Sequence, residues 1–174
     1  YGGSCFPKDT KAITTTADKF NTNLSVIKSV IKSNENRSLL LLKRVFHLLK
    51  GKVKNKKICF LGVTFKANTD DMRDSSSLSM IPSLVRKGAK VNYYDPTGEK
   101  NEFKKIKNVN FSKNIKSAIK DSDLVIIHTE WNDFKNINFN KDVSNKKFIL
   151  FDMRNIYSPA KMKDLKINYF GVGH

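Results

Sequence analysis

The sequence predicts an α/β protein in which a helical segment precedes an open, largely parallel sheet. Two patterns carry this. Over residues 10–50, apolar side chains recur at spacings of three and four, the period of a helix face. Beyond residue 57, short apolar runs alternate with helical patterns, and such alternation builds a parallel sheet with helical crossovers. Between the two regions, residues 51–57 form a polar, lysine-rich connector that reads as a boundary. The expected organisation is a first unit over 1–50 and a second over 51–174.

In the first unit a short helix is expected over 10–20. Asn21-Thr22-Asn23 interrupts the pattern, and a longer helix follows. Its residues Ile27, Ile31, Leu41, Leu42, Val45, Leu48 and Leu49 line one face. Unbroken to residue 50 it has about 26 residues and a length of roughly 39 Å. The weak helix formers Ser33, Asn34 and Asn36 offer a place to break. So long a helix exceeds what a small unit needs, so the stripe of Ile27, Ile31, Leu41, Val45 and Leu48 is expected to meet a second copy in a homodimer.

The second unit reads as strand 57–63, helix 75–87 with Pro82 inside it, strand 89–95 stopped by Pro96, helix 115–120, strand 124–129 and strand 148–153. This is a Rossmann-like order, whose ligands lie beyond the carboxyl ends of the strands. Gly62 and Asp95, each at the end of a strand, mimic a dinucleotide site with an acid for the ribose. The fingerprint fails, because Gly62-Val63-Thr64-Phe65-Lys66 lacks the second and third glycines that let a pyrophosphate approach. The sheet is therefore not expected to hold NAD in the usual way.

Composition narrows the function. A chain of 174 residues that is 39% apolar can bury a core. The net charge of +17 suggests anionic partners, yet only five basic residues are Arg (37, 44, 73, 86 and 154) and the lysines are scattered among asparagines. Arg is expected where phosphates or bases are gripped in a fork, so nucleic acid is not the expected partner, whereas nucleotides are. Three histidines without clustered cysteines give no support to a metal site. Cys5 and Cys59 lie in different settings, so no structural disulfide is expected. With no membrane-spanning apolar stretch and no signal peptide, the expected compartment is the cytoplasm. The chain opens inside a motif, without Met, as the carboxyl-terminal part of something longer would.

That opening motif is Tyr1-Gly2-Gly3-Ser4-Cys5-Phe6-Pro7-Lys8-Asp9-Thr10. Two glycines permit a tight turn and close approach of a ligand, and Pro7 fixes the chain after the cysteine. Asp9 is suited to cap the helix expected from residue 10. Cys5 would then lie near its positive end with Lys8 beside it, which favours a thiolate. A second run, Gly62 to Ser75, joins a strand end to a helix start. Its Lys66 and Arg73 can hold an anion together with backbone N–H groups, or pair with Asp70, Asp71 and Asp74. A third group follows later strands: His128-Thr129-Glu130-Trp131-Asn132-Asp133-Phe134 and Asp152-Met153-Arg154-Asn155. Trp131 reads as a packing anchor and His128 as a strand-end residue.

The cysteine run resembles the active-site segment of the nucleotide-sugar dehydrogenases, the UDP-glucose/GDP-mannose dehydrogenase family. The Phe65-Lys66 run and the segments around Trp131 and Arg154 resemble that family's carboxyl-terminal domain, in the same order. Met153 departs from the glycine usual beside the arginine. The resemblance implies an NAD-dependent enzyme that oxidises the C6 alcohol of UDP-glucose twice, through an aldehyde, to UDP-glucuronate. Cys5 would form the thiohemiacetal and thioester, and Asp9 would organise the proton or the hydrolytic water. Gly2, Phe65, Lys66 and Arg154 would bind the UDP-sugar, and Lys8 and Arg73 would lie near the NAD. GDP-mannose or a UDP-N-acetylhexosamine are alternative substrates, and a non-catalytic UDP-binding fragment is an alternative role. The full cysteine run together with Thr129-Glu130-Trp131 favours UDP-glucose. The family's amino-terminal NAD-binding domain is not among these residues, so the chain alone is expected to be inactive.

Overall fold

Six parallel strands form a single sheet in the computed structural model, which describes residues 1–3 and 5–173. Ser4 of the cysteine run and His174 lie outside the described residues. Two helices come first, α1 (Phe6–Lys19) and α2 (Ser25–Leu48). The sheet unit follows as β1 (Lys57–Leu61), α3 (Ser77–Arg86), β2 (Lys90–Tyr94), α4 (Asn101–Lys104), β3 (Val109–Phe111), α5 (Ile115–Ile119) and β4 (Leu124–Ile127). It ends with a 3-10 turn at Asn132–Phe134, α6 (Phe139–Asp142), β5 (Ile149–Asp152), α7 (Pro159–Asp164) and β6 (Asn168–Gly171). The strand order is β3-β2-β1-β4-β5-β6. Chain direction across the sheet therefore reverses between β1 and β4, the point where open α/β sheets hold their ligands.

The sheet is covered on both faces because its strands alternate between two cores. Ile58 and Phe60 of β1, Leu124 and Ile126 of β4, and Phe151 of β5 face one core, shared with Met80, Ile81 and Leu84 of α3. Cys59, Leu61, Val125, Ile127 and Leu150 face the other, filled by Ala118 and Ile119 of α5, Phe134, Phe139 and Met162. A side-chain period of two on a doubly covered sheet produces the continuous apolar runs seen in the sequence. Edge strands β3 and β6, at three and four residues, are too short and too polar to show such a run. They were not expected from sequence, nor were the short helices α4, α6 and α7.

The first unit is an antiparallel helical hairpin. Lys28 Nζ meets Asp18 Oδ1 at 2.5 Å and Lys11 Nζ meets Glu35 Oε1 at 2.8 Å, stitching α1 to α2 along their length. Helix α2 runs unbroken through Ser33, Asn34 and Asn36 for 24 residues, about 36 Å. Propensity differences of about 0.5 kcal/mol per residue do not break a helix held at both ends. Its carboxyl-terminal half joins the sheet core through Val45, Leu48 and Leu49. This corrects the expectation that the stripe is an outer face. Val45 and Leu48 are buried within the chain, and Ile27, Ile31 and Leu41 are partly covered. The exposed apolar residues of α2 are instead Val26, Val30, Leu39 and Leu40.

Candidate active site

At the switch point the strand ends open into a cleft of about 830 Å³. One wall comes from the sheet unit: Phe65 and Lys66 after β1, Ser75 and Ser76 at the start of α3, His128 after β4, and Met153 and Arg154 after β5. The hairpin supplies the other wall, with Pro7 and Lys11 of α1 and Asn34, Arg37 and Ser38 of α2. Side chains from six separated stretches of sequence thus converge on one space.

Cys5 stands two residues before Pro7 in the hairpin wall. Helix α1 begins at Phe6, with Pro7 in its first turn, so Cys5 occupies the N-cap position and its carbonyl accepts from Asp9 N at 2.9 Å. The early start corrects the expected capping role of Asp9, which lies inside the first turn. A proline near the amino end starts the helix because its N–H has no intrahelical partner there in any case. Cys5 is exposed, whereas Cys59 lies wholly buried in β1, where burial pushes its thiol pKa far up. Asp9 pairs with Lys8 at 3.2 Å, both side chains well exposed, a pair that contributes little to stability.

Gly2 and Gly3 are needed for a contact that sequence did not reveal. A Cβ on Gly2 would lie 2.7 Å from the Phe65 ring, and one on Gly3, which has φ +86°, would lie 2.9 Å from it. The ring of Phe65 therefore lies directly on the glycine backbone and docks the cysteine segment on the sheet unit. Gly2 and Phe65, expected to share a sugar, are brought together against each other.

Arg154 fastens the strand-end loops. Its Nε donates to His128 O at 2.8 Å and its Nη2 to Phe65 O at 3.2 Å, while its own backbone N donates to Asp152 at 3.0 Å. Glu130 Oε2 lies 2.9 Å from the same Nε. Because that N–H points at the His128 carbonyl, the carboxylate is paired by charge rather than by a directed hydrogen bond. Lys66 Nζ sits 6.0 Å from the centroid of the Phe65 ring and is exposed at the cleft. Lys66 and Arg154 share one wall, and Arg154 remains accessible to solvent.

In the loop between β1 and α3, Arg73 makes one of the expected pairings, with Asp71. Arg73 grips Asp71 with Nε–Oδ1 at 2.9 Å and Nη2–Oδ2 at 3.0 Å. The guanidinium holds the Asp71 carboxyl below the usual carboxylate range, and Asp71 in turn keeps Arg73 more firmly protonated. Cys5 adds a smaller effect on Arg73, which places the two within electrostatic reach. Many of the loop's amides are also committed internally: Val63 and Thr64 to Asp95, Phe65 to Asp71 O, Arg73 to Asp71 Oδ1 and Ser77 to Ser75 Oγ.

Gly62 and Asp95, the mimics of a dinucleotide site, have structural work. Gly62 has φ +75°, and a Cβ there would come within 2.5 Å of Thr129 Cβ, so the glycine permits β1 to pack on the end of β4. Asp95 is 1% exposed and accepts from Val63 N at 2.8 Å, Thr97 N at 3.0 Å and Thr97 Oγ1 at 2.5 Å, with Lys100 Nζ at 3.8 Å. No lone pair of a carboxylate so engaged is turned toward a ribose. The residues in the ordinary dinucleotide position of this sheet do not fit NAD.

Two cleft residues escaped the sequence reading of the site. His128 is a strand-end residue as expected, but it is 3% exposed and bonded to Ser76 Oγ at 2.8 Å through Nε2 and to Thr129 Oγ1 at 3.1 Å through Nδ1. Its position directly after an apolar strand was the available signal. Ser76, one of three consecutive serines, carried none. Trp131 packs in the second core as an anchor. Among the described residues no cluster of His, Cys, Asp and Glu could hold a metal, and no helix is long and apolar enough to cross a membrane.

A doubly covered parallel sheet with a cleft at its switch point that carries Lys66 and Arg154, walled by a cysteine-bearing hairpin, defines an α/β protein whose ligand site lies at its strand ends. Residues 59–159 match the UDP-binding domain of the UDP-glucose/GDP-mannose dehydrogenase family, and residues 1–36 match its central domain. The chain belongs to that family. It is 37% identical over 174 residues to the UDP-glucose 6-dehydrogenase of Rhizobium meliloti and 36% over 176 residues to that of Rickettsia felis. These alignments cover 99% of the chain but 40% and 39% of those proteins, so the chain spans about two fifths of their length. A UDP-glucose dehydrogenase structure from Pyrobaculum islandicum superimposes with a TM-score of 0.75 at 25% identity, covering 87% of this chain and 34% of that one. The UDP-D-ManNAc dehydrogenase of Pyrococcus horikoshii, at 24% identity and a TM-score of 0.79 over 99% of this chain and 38% of that one, shares the fold.

Proposed function

We propose that the chain is the cysteine-bearing and UDP-binding portion of an NAD-dependent UDP-glucose 6-dehydrogenase, which converts UDP-glucose to UDP-glucuronate. The observation that carries this reading is the cleft, whose hairpin wall starts beside Cys5 and whose sheet wall carries Lys66 and Arg154. Lys66 and Arg154 bind the UDP oxygens by charge-assisted hydrogen bonds. The Cys5 sulfur adds to the C6 aldehyde, and the thioester formed after the second oxidation is cleaved by water. Asp9, one helical turn from Cys5, organises that water or its proton. Bound NAD supplies the hydride acceptor. Lys8 and Arg73, which flank the Cys5 segment, are the residues of this chain that would help to hold it. A homodimer forms over the outward residues Val26, Val30 and Leu40 of α2, whose exposure favours cover by a second copy.

The test is a longer chain that includes the cofactor-binding part, incubated with NAD and UDP-glucose, GDP-mannose or UDP-N-acetylglucosamine. UDP-glucuronate should form from the first, and Cys5→Ala should abolish the acid while permitting at most the aldehyde. Cys5→Ser should accumulate an ester detectable by intact-protein mass spectrometry, because an alkoxide leaves far less readily than a thiolate. Acid production by Cys5→Ala at the rate of the parent enzyme would overturn the mechanism.

A further inference from the structure

We propose that Ser76 is a selectivity residue of the cleft, an acceptor-only hydroxyl that takes one O–H or N–H donor of the bound nucleotide sugar. The inference rests on the nucleotide reading above and adds a residue to it. Hydrogen-bond accounting leads to it in three steps. Thr129 Oγ1 donates its proton to Thr64 O at 2.9 Å. His128 Nδ1, 3.1 Å from that oxygen, must then be the donor of their contact. A neutral imidazole has a single N–H, so Nε2 carries a lone pair, and Ser76 Oγ at 2.8 Å must donate to it.

The ring stays neutral for a physical reason. It is 3% exposed and lies beside the Arg154 guanidinium, which bonds to its carbonyl. Burial first, and then this charge, push the His128 pKa down to about 3, outweighing a hydrogen bond from the ring to the Gly62 backbone that acts the other way. Such a ring does not take up a proton at neutral pH, so Ser76 and His128 do not act as a nucleophile and base. Ser76 is a partly exposed residue that lines the cleft, and what its oxygen has left for a ligand is lone pairs. An ordinary serine rotates to donate or to accept. Here donation to a ligand would strand a buried nitrogen, so phosphate oxygens are disfavoured at this point and a donor is selected. The cations Lys66 and Arg154 draw the phosphates elsewhere along the same wall.

Titration calorimetry on the 174-residue chain tests this with UDP, 3-methyl-UDP, 2′-deoxy-UDP, 3′-deoxy-UDP and UDP-glucose. If the donor lies on the nucleoside, one of the three analogues should bind about 3- to 10-fold more weakly than UDP. If it lies on the sugar, UDP-glucose should bind more tightly than UDP by that factor. Ser76→Ala should erase the difference, and Ser76→Thr should restore it. Should Ser76→Ala not fold, His128→Leu carries the test, because the freed hydroxyl can turn to donate and the difference should shrink at least threefold. Affinity ratios that are the same in these variants as in the parent overturn the inference while leaving UDP binding intact. Absence of any UDP binding by the parent overturns the nucleotide reading, and the inference with it.

Discussion

In the sheet unit Phe60, Leu61, Met80 and Ile126 are completely buried, whereas α1 buries only Thr14 and Ala17 and the hairpin leaves Phe20 77% and Val26 75% exposed. One region is held by apolar packing on both faces of a sheet. The other is held by exposed ion pairs, by the root of α2 in the sheet core, and by the contact of Phe65 with Gly2 and Gly3. The residue proposed for covalent chemistry stands on the weaker of the two. Its position therefore depends on a few contacts with the stronger, which makes those contacts part of the site's geometry.

The largest expected effect lies in the sheet unit. Phe60→Ala should cost about 3 to 5 kcal/mol, by lost burial and a cavity that cannot collapse, whereas Phe20→Ala, at the tip of the hairpin, should change stability by less than about 0.5 kcal/mol. Urea denaturation of both variants checks this. A large loss from Phe20→Ala would mean that the hairpin tip is covered in solution and that the contrast between the regions disappears.

Next in size is the docking contact. Gly2→Ala should cost about 1 to 3 kcal/mol of overpacking against Phe65. Adding Phe65→Ala should recover part of it, read as a coupling energy in a double-mutant cycle. Additive effects would show that the cysteine segment does not rest on that ring.

A pH effect comes from His128 in the strong region. Its folded pKa, near 3, lies below the 6.5 of an unperturbed histidine. Between these values the unfolded chain binds the proton and the folded chain does not, so stability falls as pH falls below 6.5. The slope is at most about 1.4 kcal/mol per pH unit, and full stability is present above 6.5. Comparing denaturation midpoints of the parent and His128→Gln at pH 7, 6 and 5 isolates this contribution from the carboxylates. Equal slopes would place the ring in contact with water.

The smallest effect is expected in the hairpin, where Lys28→Ala removes an exposed pair with Asp18 and should cost about 0.2 to 1 kcal/mol, less in high salt. Thermal melts at two ionic strengths check it.

Legibility followed the strength of each local signal. β1, β4 and β5 could be read because both faces are largely buried and their apolar runs are continuous, and β2 because it alternates and stops at Pro96, while β3 and β6 carry too few residues to announce themselves. Lys66 and Arg73 are legible as cations in the loop after a strand, whereas the roles of Phe65 and Arg154 come from the family resemblance of their segments. For Arg73 the sequence allows either an anion or a neighbouring acid as partner, and only the geometry shows it folded back on Asp71. Asp9 was misplaced by a few residues because Pro7 starts α1 earlier than the apolar pattern does. The stripe on α2 was correctly periodic but assigned to the wrong partner, since a period tells which residues share a face and not what that face meets.

Amino-acid order alone thus established an α/β fold of parallel strands, the motif at Cys5 and the failure of the dinucleotide fingerprint, because periodicity and short glycine or cysteine runs are local properties. Tertiary structure decided what depends on residues far apart in the chain. It laid Phe65 on Gly2 and Gly3, turned Asp95 inward onto backbone amides, and joined Ser76 to His128 across 52 positions. Such pairings are set by strand order and by where each proton can go, and neither is visible until the sheet has closed.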